Sequence, residues 1–335
     1  RFQVAMAKQQ LGDLIVDLRH WTRGSEILRE ASAELSQLVT ENPNHLGFRR
    51  GHAKVLGRLA FSLMWGHYEF SENERQLRRE GVSHYHSQQQ EYAELCRRDP
   101  QNTSQYRMKI VESKIGQAQI HLTLNERDAV TTLLDPVWGR LSKQAHQPGS
   151  SEFELFVMAQ VLLGQALHVS DYPRAKLLLT EAMPLIEQVL SHGPRREVRN
   201  EFVRRIKHPA FILATHNEPK LATEFAEQAI RQSFLLHQDY PGIAEYLHHL
   251  DGACGRALKV GKKRVEMAES EGDESEFAAA SEYVEELLVR MARDYNVHIH
   301  PAQEMVANEN AIERLTEAIE RYSDAPEYYL SLIHI

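Results

Sequence analysis

Apolar side chains recur at intervals of three and four along most of the chain, and the recurrence predicts helices that come in pairs. Val161, Leu162, Leu163, Ala166 and Leu167 mark one buried face; Ala175, Leu178, Leu179, Ala182, Ile186 and Leu190 mark the next. Between them Val169-Ser170-Asp171-Tyr172-Pro173 interrupts the pattern, as Thr215-His216-Asn217-Glu218-Pro219 does one pair later. Ser170, Asp171 and Asn217 are expected to cap the helix that follows, with Pro173 and Pro219 in its first turn, where no donor is lost. The predicted unit is helix, turn, helix.

A second pattern is laid over the first. A small residue, usually glycine after an aliphatic one, recurs at Gly12, Gly57, Gly116, Gly164, Ala210 and Gly255, in steps of 45, 59, 48, 46 and 45. A step of this size is the signature of a stacked repeat array, and small residues let the two helices of a repeat cross closely. Three of the stretches follow the same punctuation: Glu41-Asn42-Pro43 with Phe48, Arg97-Arg98-Asp99-Pro100 with Tyr106, and Gln238-Asp239-Tyr240-Pro241 with Tyr246. Each aromatic is expected to wedge between the preceding helix and the next. The long step of 59 places extra length near residues 67 to 90, as a lengthened helix or a protruding loop.

After Gly255 the pattern loosens. Ser270 to Ser275 is acidic and turn-like; Phe277, Ala280, Val284, Leu287, Leu288, Met291 and Tyr295 then restore one amphipathic helix, and Ala311, Leu315 and Ile319 another. The expected division is therefore 1–262 as the repeat array, 263–330 as degraded or continuing repeats, and 331–335 as a non-native tail. Both ends read as cut: helical spacing is already present at Val4, Leu11, Leu14, Ile15 and Leu18, and Ala325 to Leu330 reads as the start of another repeat. Ser331-Leu332-Ile333-His334-Ile335 resembles translated adapter read-through.

Composition narrows the function. The 335 residues are 42% hydrophobic and 26% charged with a formal charge of −8, which argues against broad adhesion to nucleic acid. Cys96 and Cys254 have no metal-ligand or disulfide spacing and read as small buried residues. No apolar run is long enough to span a membrane and no signal segment leads the chain. No cofactor-binding pattern is present, and the compartment is left open.

The order of small residue, helix, turn with proline, helix, then Asp/Asn-Pro and an aromatic resembles tetratricopeptide repeats, with a period longer than the standard unit. Leu38-Val39-Thr40-Glu41-Asn42-Pro43 before Phe48-Arg49-Arg50 and Leu56-Gly57 is similar to the repeats appended to bacterial multi-repeat serine/threonine protein kinases, and Gln238 to Gly255 repeats that phrase. The resemblance implies an all-α, right-handed superhelical solenoid of antiparallel helix pairs, about 45–48 residues each. It further implies a parent signalling protein such as a kinase, a winged-helix regulator or a cyclase. The glycine-rich phosphate loop, His-Arg-Asp loop and Asp-Phe-Gly of a kinase do not occur in the sequence, so no catalytic residue carries over. A membrane span ahead of the array, as in many such kinases, would place it outside the cytoplasm.

The leading expectation is a noncatalytic scaffold that binds a protein or peptide. Its candidate contacts are two basic sets. One is Arg49, Arg50 and Lys54, mirrored by Arg107 and Lys109 on the corresponding helix of the next repeat; the other is Arg195, Arg196, Arg199, Arg204, Arg205 and Lys207 against Glu197 and Glu201. The alternative for the second set is a solvated face laced with i, i+4 pairs such as Glu201 with Arg205. Two rivals remain: a metal-dependent hydrolase built around His248, His249 and Asp251, and an array that self-associates. The pairs His84-x-His86 and His298-x-His300 point apart on a helix and read as surface residues.

Overall fold

The computed structural model describes residues 1–17, 20–65, 72–143, 147–192 and 196–293, and among them the only regular elements are α-helices and one 3₁₀ turn at Pro100–Asn102. The chain divides into two compact units, Arg1–Asp171 and Tyr172–Ile335. The first holds α1 (Phe2–Asp17), α2 (Trp21–Glu41), α3 (Leu46–Trp65), α4 (Glu72–Arg98), α5 (Thr103–Thr123), α6 (Arg127–Leu141) and α7 (Ser151–Leu167). The second holds α8 (Tyr172–Ser191), α9 (Arg196–Thr215), α10 (Pro219–Asp239), α11 (Ala244–Glu271) and α12 (Glu274–Arg293). Within each unit successive helices pack in antiparallel pairs, as a helical repeat array does.

In the first unit each helix packs on the next, while α1, α3, α5 and α7 also touch one another in series. The odd helices thereby form one layer and the even helices a second. Amphipathic patterning drives this: Leu28, Leu35 and Leu38 of α2 bury one stripe against Ala5 and Val16 of α1 and Val55, Leu59 and Leu63 of α3. In the second unit α9, α10 and α11 pack in order, α9 also touches α11, and α8 meets α9 sparingly.

The small residues of the repeat step fall one to each odd helix: Gly12, Gly57, Gly116 and Gly164 on α1, α3, α5 and α7, Ala210 and Gly255 on α9 and α11. Gly12 lies against Leu28 of α2, and Gly57 against Gln88 of α4. Gln88 is held there, because its amide donates to the Ala53 carbonyl at 2.9 Å and accepts from the Ser113 hydroxyl at 2.6 Å. Gly116 departs from the expected crossing within one repeat. It lies against Tyr85 of the preceding α4, since a lengthened α4 presents its ring to α5.

The aromatics after the prolines reach back to the preceding pair. Phe48 of α3 packs on Phe2, with ring centroids 5.0 Å apart, and stacks on His45. Tyr106 of α5 is buried with Ala53, Tyr92 and Leu95, and its hydroxyl donates to Asp99 at 2.7 Å. Tyr246 of α11 is buried with Val203 and Leu236. The Asp-Pro punctuation thus has a second use, because Asp99 anchors the ring seven residues later.

The turns differ from expectation at Asn217. It does not cap α10 but closes α9 in the left-handed conformation, φ 59°, with the Glu218 N–H donating to the Leu213 carbonyl and the Asn217 N–H facing the Ala214 carbonyl. Asn125 after α5 and Gly272 after α11 make the same closure. Asparagine and aspartate serve both caps and left-handed ends, so residue type alone did not decide. Pro219 does open α10, as expected.

Much of the extra length in the 59-residue step is taken up by α4, which runs 27 residues from Glu72. The acidic Ser270–Ser275 stretch contains the α11–α12 turn at Gly272 and Asp273, with its flanks inside the two helices, and position 262 lies inside α11. Ala311, Leu315, Ile319, His298, His300 and the 331–335 tail lie outside the described residues.

Candidate functional site

The first basic set is divided between inward and outward roles. Arg49 pairs with Glu91 of α4, and Glu91 also takes the His52 Nδ1 at 3.2 Å. Burial pushes the Glu91 carboxyl up, but the His52 hydrogen bond and the Arg49 charge outweigh it and hold the group below the ordinary carboxylate range. Lys109 pairs with Glu112 at 2.7 Å. Arg50, Lys54 and Arg107 are exposed, on two helices that touch.

A depressed carboxyl contributes stability above its unfolded pKa and loses it as pH falls through its folded value. Glu91→Gln is therefore expected to lower stability by about 2 kcal/mol at pH 7, the order of a hydrogen bond to a charged group. The gap to the parent protein should narrow as pH falls out of the ordinary carboxylate range and close only below the depressed folded value, where both side chains are neutral. Urea melts at the two pH values check this.

The second set is mostly turned inward. Arg195 lies outside the described residues, Arg196 lies over the Tyr240 ring, and Arg199 pairs with Asp239 at 2.9 Å. Arg204 and Arg205 are buried at 5% and 6% exposure and both bind Glu201. The row of donors read from the sequence does not form an exposed stripe, because α9 turns these side chains toward α10 and α11. Lys207 is half-buried, with its ammonium held down to about 7 by burial first, then by the charges of Arg256 and Arg204.

His249 is buried, and its Nε2 faces Arg204 Nε at 3.3 Å, while His248 is exposed. Adjacent positions on a helix point about 100° apart, so the two rings serve different surroundings. Among the described residues no group of three or more His, Cys, Asp or Glu side chains is placed to hold a metal ion. Burial pushes both thiols up, Cys254 to about 12. Among the described residues no helix is long and apolar enough to cross a membrane.

The feature that sequence reasoning missed is a groove of about 960 Å³ in the second unit. One wall is the i, i+3, i+4, i+7 face of α8: Thr180, Met183, Pro184 and Glu187. The other is α10, from Leu221 to Phe234, and Arg290 of α12 closes the lining in a bidentate pair with Glu227 at 2.6 and 2.9 Å. Half-buried Leu221 and Phe234 supply apolar surface over buried Met183 and Ile230; Glu187 is exposed on the α8 wall, and Glu224 and Arg231 on the α10 wall. Pro184 sits inside α8 and has no N–H, so the Thr180 carbonyl lacks its helical donor beside the groove. The one signal available in the sequence was that interior proline within an amphipathic run.

No family model matches the sequence, and neither does any curated protein. Among solved structures the chain is similar to one described as a circular tandem repeat protein with novel repeat topology and enhanced subunit contact surfaces. The identity is 13%, the match covers 99% of this chain and 75% of that one, and the TM-score is 0.32. The fold assignment accordingly rests on the helix order and packing described above.

Proposed function

We propose that the chain is a noncatalytic helical-repeat scaffold that binds a protein segment, and that the α8–α10 groove is the surface it uses. The observation that carries this reading is the groove itself: two helix faces with apolar side chains between them, Glu187 exposed on the α8 wall, and Glu224 with Arg231 two turns further along exposed on the α10 wall. A short amphipathic helix with aliphatic anchors three or four residues apart and a lysine or arginine on each flank fits that chemistry. The apolar anchors supply affinity, and Glu187 and Glu224 select for cationic flanks.

The finer assignment belongs to the same proposal: right-handed superhelical, tetratricopeptide-like stacking of 45–48-residue pairs, in the repeat region of a larger bacterial signalling protein such as a serine/threonine kinase. It is supported by the regular step of small residues, which fall on every odd helix from α1 to α11. A winged-helix regulator or cyclase is the alternative parent.

Fluorescence anisotropy with a labelled amphipathic leucine–lysine peptide tests the groove. The full chain is expected to bind it, and the double variant Glu187→Lys, Glu224→Lys to bind about tenfold more weakly, a loss of about 1.4 kcal/mol. Equal affinity for parent and variant would remove the groove from the account.

A further inference from the structure

In the second unit Arg204 and Arg205 share Glu201, Arg199 pairs with Asp239, Arg264 with Glu276 and Arg290 with Glu227. Half-buried Lys207 of α9 and Arg256 of α11 are treated differently: among the described residues neither pairs with a carboxylate. Asp251, one turn before Arg256, acts on Cys254 instead. A cation partly withdrawn from water costs stability unless a counter-charge meets it.

α9 and α11 meet here along a seam of three rungs. Arg204 Nε faces His249 Nε2 at 3.3 Å, Lys207 Nζ lies 3.7 Å from where a Cβ on Gly252 would be, and Arg256 Nη1 lies 2.9 Å from His208 Nδ1. Positions 204, 207 and 208 share one face of α9, and 249, 252 and 256 one face of α11. No other group from elsewhere in the fold comes within 4 Å of the missing Gly252 Cβ, so there is room beside the ammonium. A guanidinium can only donate, so His208 Nδ1 accepts; the ring is neutral and its exposed side chain keeps Nε2–H as a donor. Burial first, then the charges of Arg256 and Lys207, holds that ring below the usual imidazole range, in keeping with the hydrogen bond. The seam thus offers an ammonium, a guanidinium and an imidazole N–H with no acceptor among them.

We propose that Lys207, His208 and Arg256 form a binding site for a phosphate monoester, held in the α9–α11 seam beside Gly252. Charge selects the ligand. The ammonium and the guanidinium carry two positive charges and the imidazole none, so a phosphate dianion balances the set, whereas a carboxylate would leave one cation unmatched. Three donors also suit a group with three terminal oxygens, and the lack of an acceptor turns away cationic ligands. Arg204, one turn below, already has Glu201. None of the three residues lines the α8–α10 groove, so the site stands apart from that reading and does not rest on it. The phosphate could be carried by a modified side chain of a bound protein or by a small free compound, and the two sources share this chemistry.

Isothermal titration calorimetry of the full chain with inorganic phosphate, at constant ionic strength so that screening cannot imitate binding, reads the site. Binding with a Kd of about 1 mM is expected, about tenfold weaker in Lys207→Met and in Arg256→Met, and unchanged in Lys220→Met, which removes an exposed cation of α10. In phosphate-free buffer both site variants should melt above the parent, because each removes a cation that has no counter-charge; the same melts show that they fold. A phosphoserine peptide bound more than about tenfold tighter than phosphate, with its unphosphorylated form not bound, assigns the source to a modified protein, and a smaller preference assigns it to a free compound. No binding up to about 10 mM phosphate, equal binding by the parent and both site variants, or acetate bound as tightly as phosphate would each overturn the proposal. Site variants that both melt well below the parent would overturn it too, since Lys207 and Arg256 would then be structural cations.

Discussion

Glu201→Ala is expected to destabilise the α8–α12 unit by about 3–5 kcal/mol. Glu201 is the shared carboxylate for Arg204 and Arg205, which are buried on α9. Burial pushes the Glu201 carboxyl up, but the charges of Arg205 and Arg204 outweigh it and hold the group below its ordinary range. Removing it leaves two guanidinium groups in the interior without their common counter-charge, and that desolvation cost is far larger than a surface pair would return. The sign with pH follows: the contribution is complete above the unfolded glutamate pKa and disappears as pH falls through the depressed folded value. Denaturant melts at neutral pH check the magnitude, and Glu201→Gln separates charge from hydrogen bonding. A loss below about 1 kcal/mol would mean that Arg204 and Arg205 are solvated rather than buried.

Gly116→Val is the second large effect, at about 3 kcal/mol. A Cβ on Gly116 would lie 2.5 Å from Cζ of Tyr85, closer than packed atoms come. Tyr85 has little room to give, because it is buried among Ala60, Met64 and Ile120. A contrasting substitution in the same unit isolates the cause. Gly139 of α6 has nothing within 4 Å of where its Cβ would be, so Gly139→Ala should gain about 0.5–1 kcal/mol from helix propensity alone. Thermal melts of both variants compare them, with opposite signs expected. A harmless Gly116→Val would mean that α4 and α5 do not approach closely at this residue.

These two sites also mark how far the residues themselves could be read. Helix periodicity and the step of small residues gave the all-helical order, because both are set by local spacing and by the need for a missing side chain where helices cross. The neighbour that fills each gap was hidden: Gly57 meets Gln88 and Gly116 meets Tyr85, both from α4, a helix whose added length shifts what it presents. The Glu201–Arg205 pair was legible from i, i+4 spacing, whereas the burial of Arg204 was not, since net charge along a segment carries no information on which way a helix faces. The groove was least legible of all. Its walls are two helices about 40 residues apart in sequence, and each alone has only an ordinary amphipathic face.

Whether this chain binds a partner, and where, is tested most directly by hydrogen–deuterium exchange of the full protein with a tight-binding peptide taken from an unbiased display library. The account predicts slowed exchange over Thr180–Glu187 of α8 and Leu221–Phe234 of α10, with α3 and α5 unchanged. Protection centred instead on Arg50, Lys54 and Arg107, or a library that yields no binder, would contradict it.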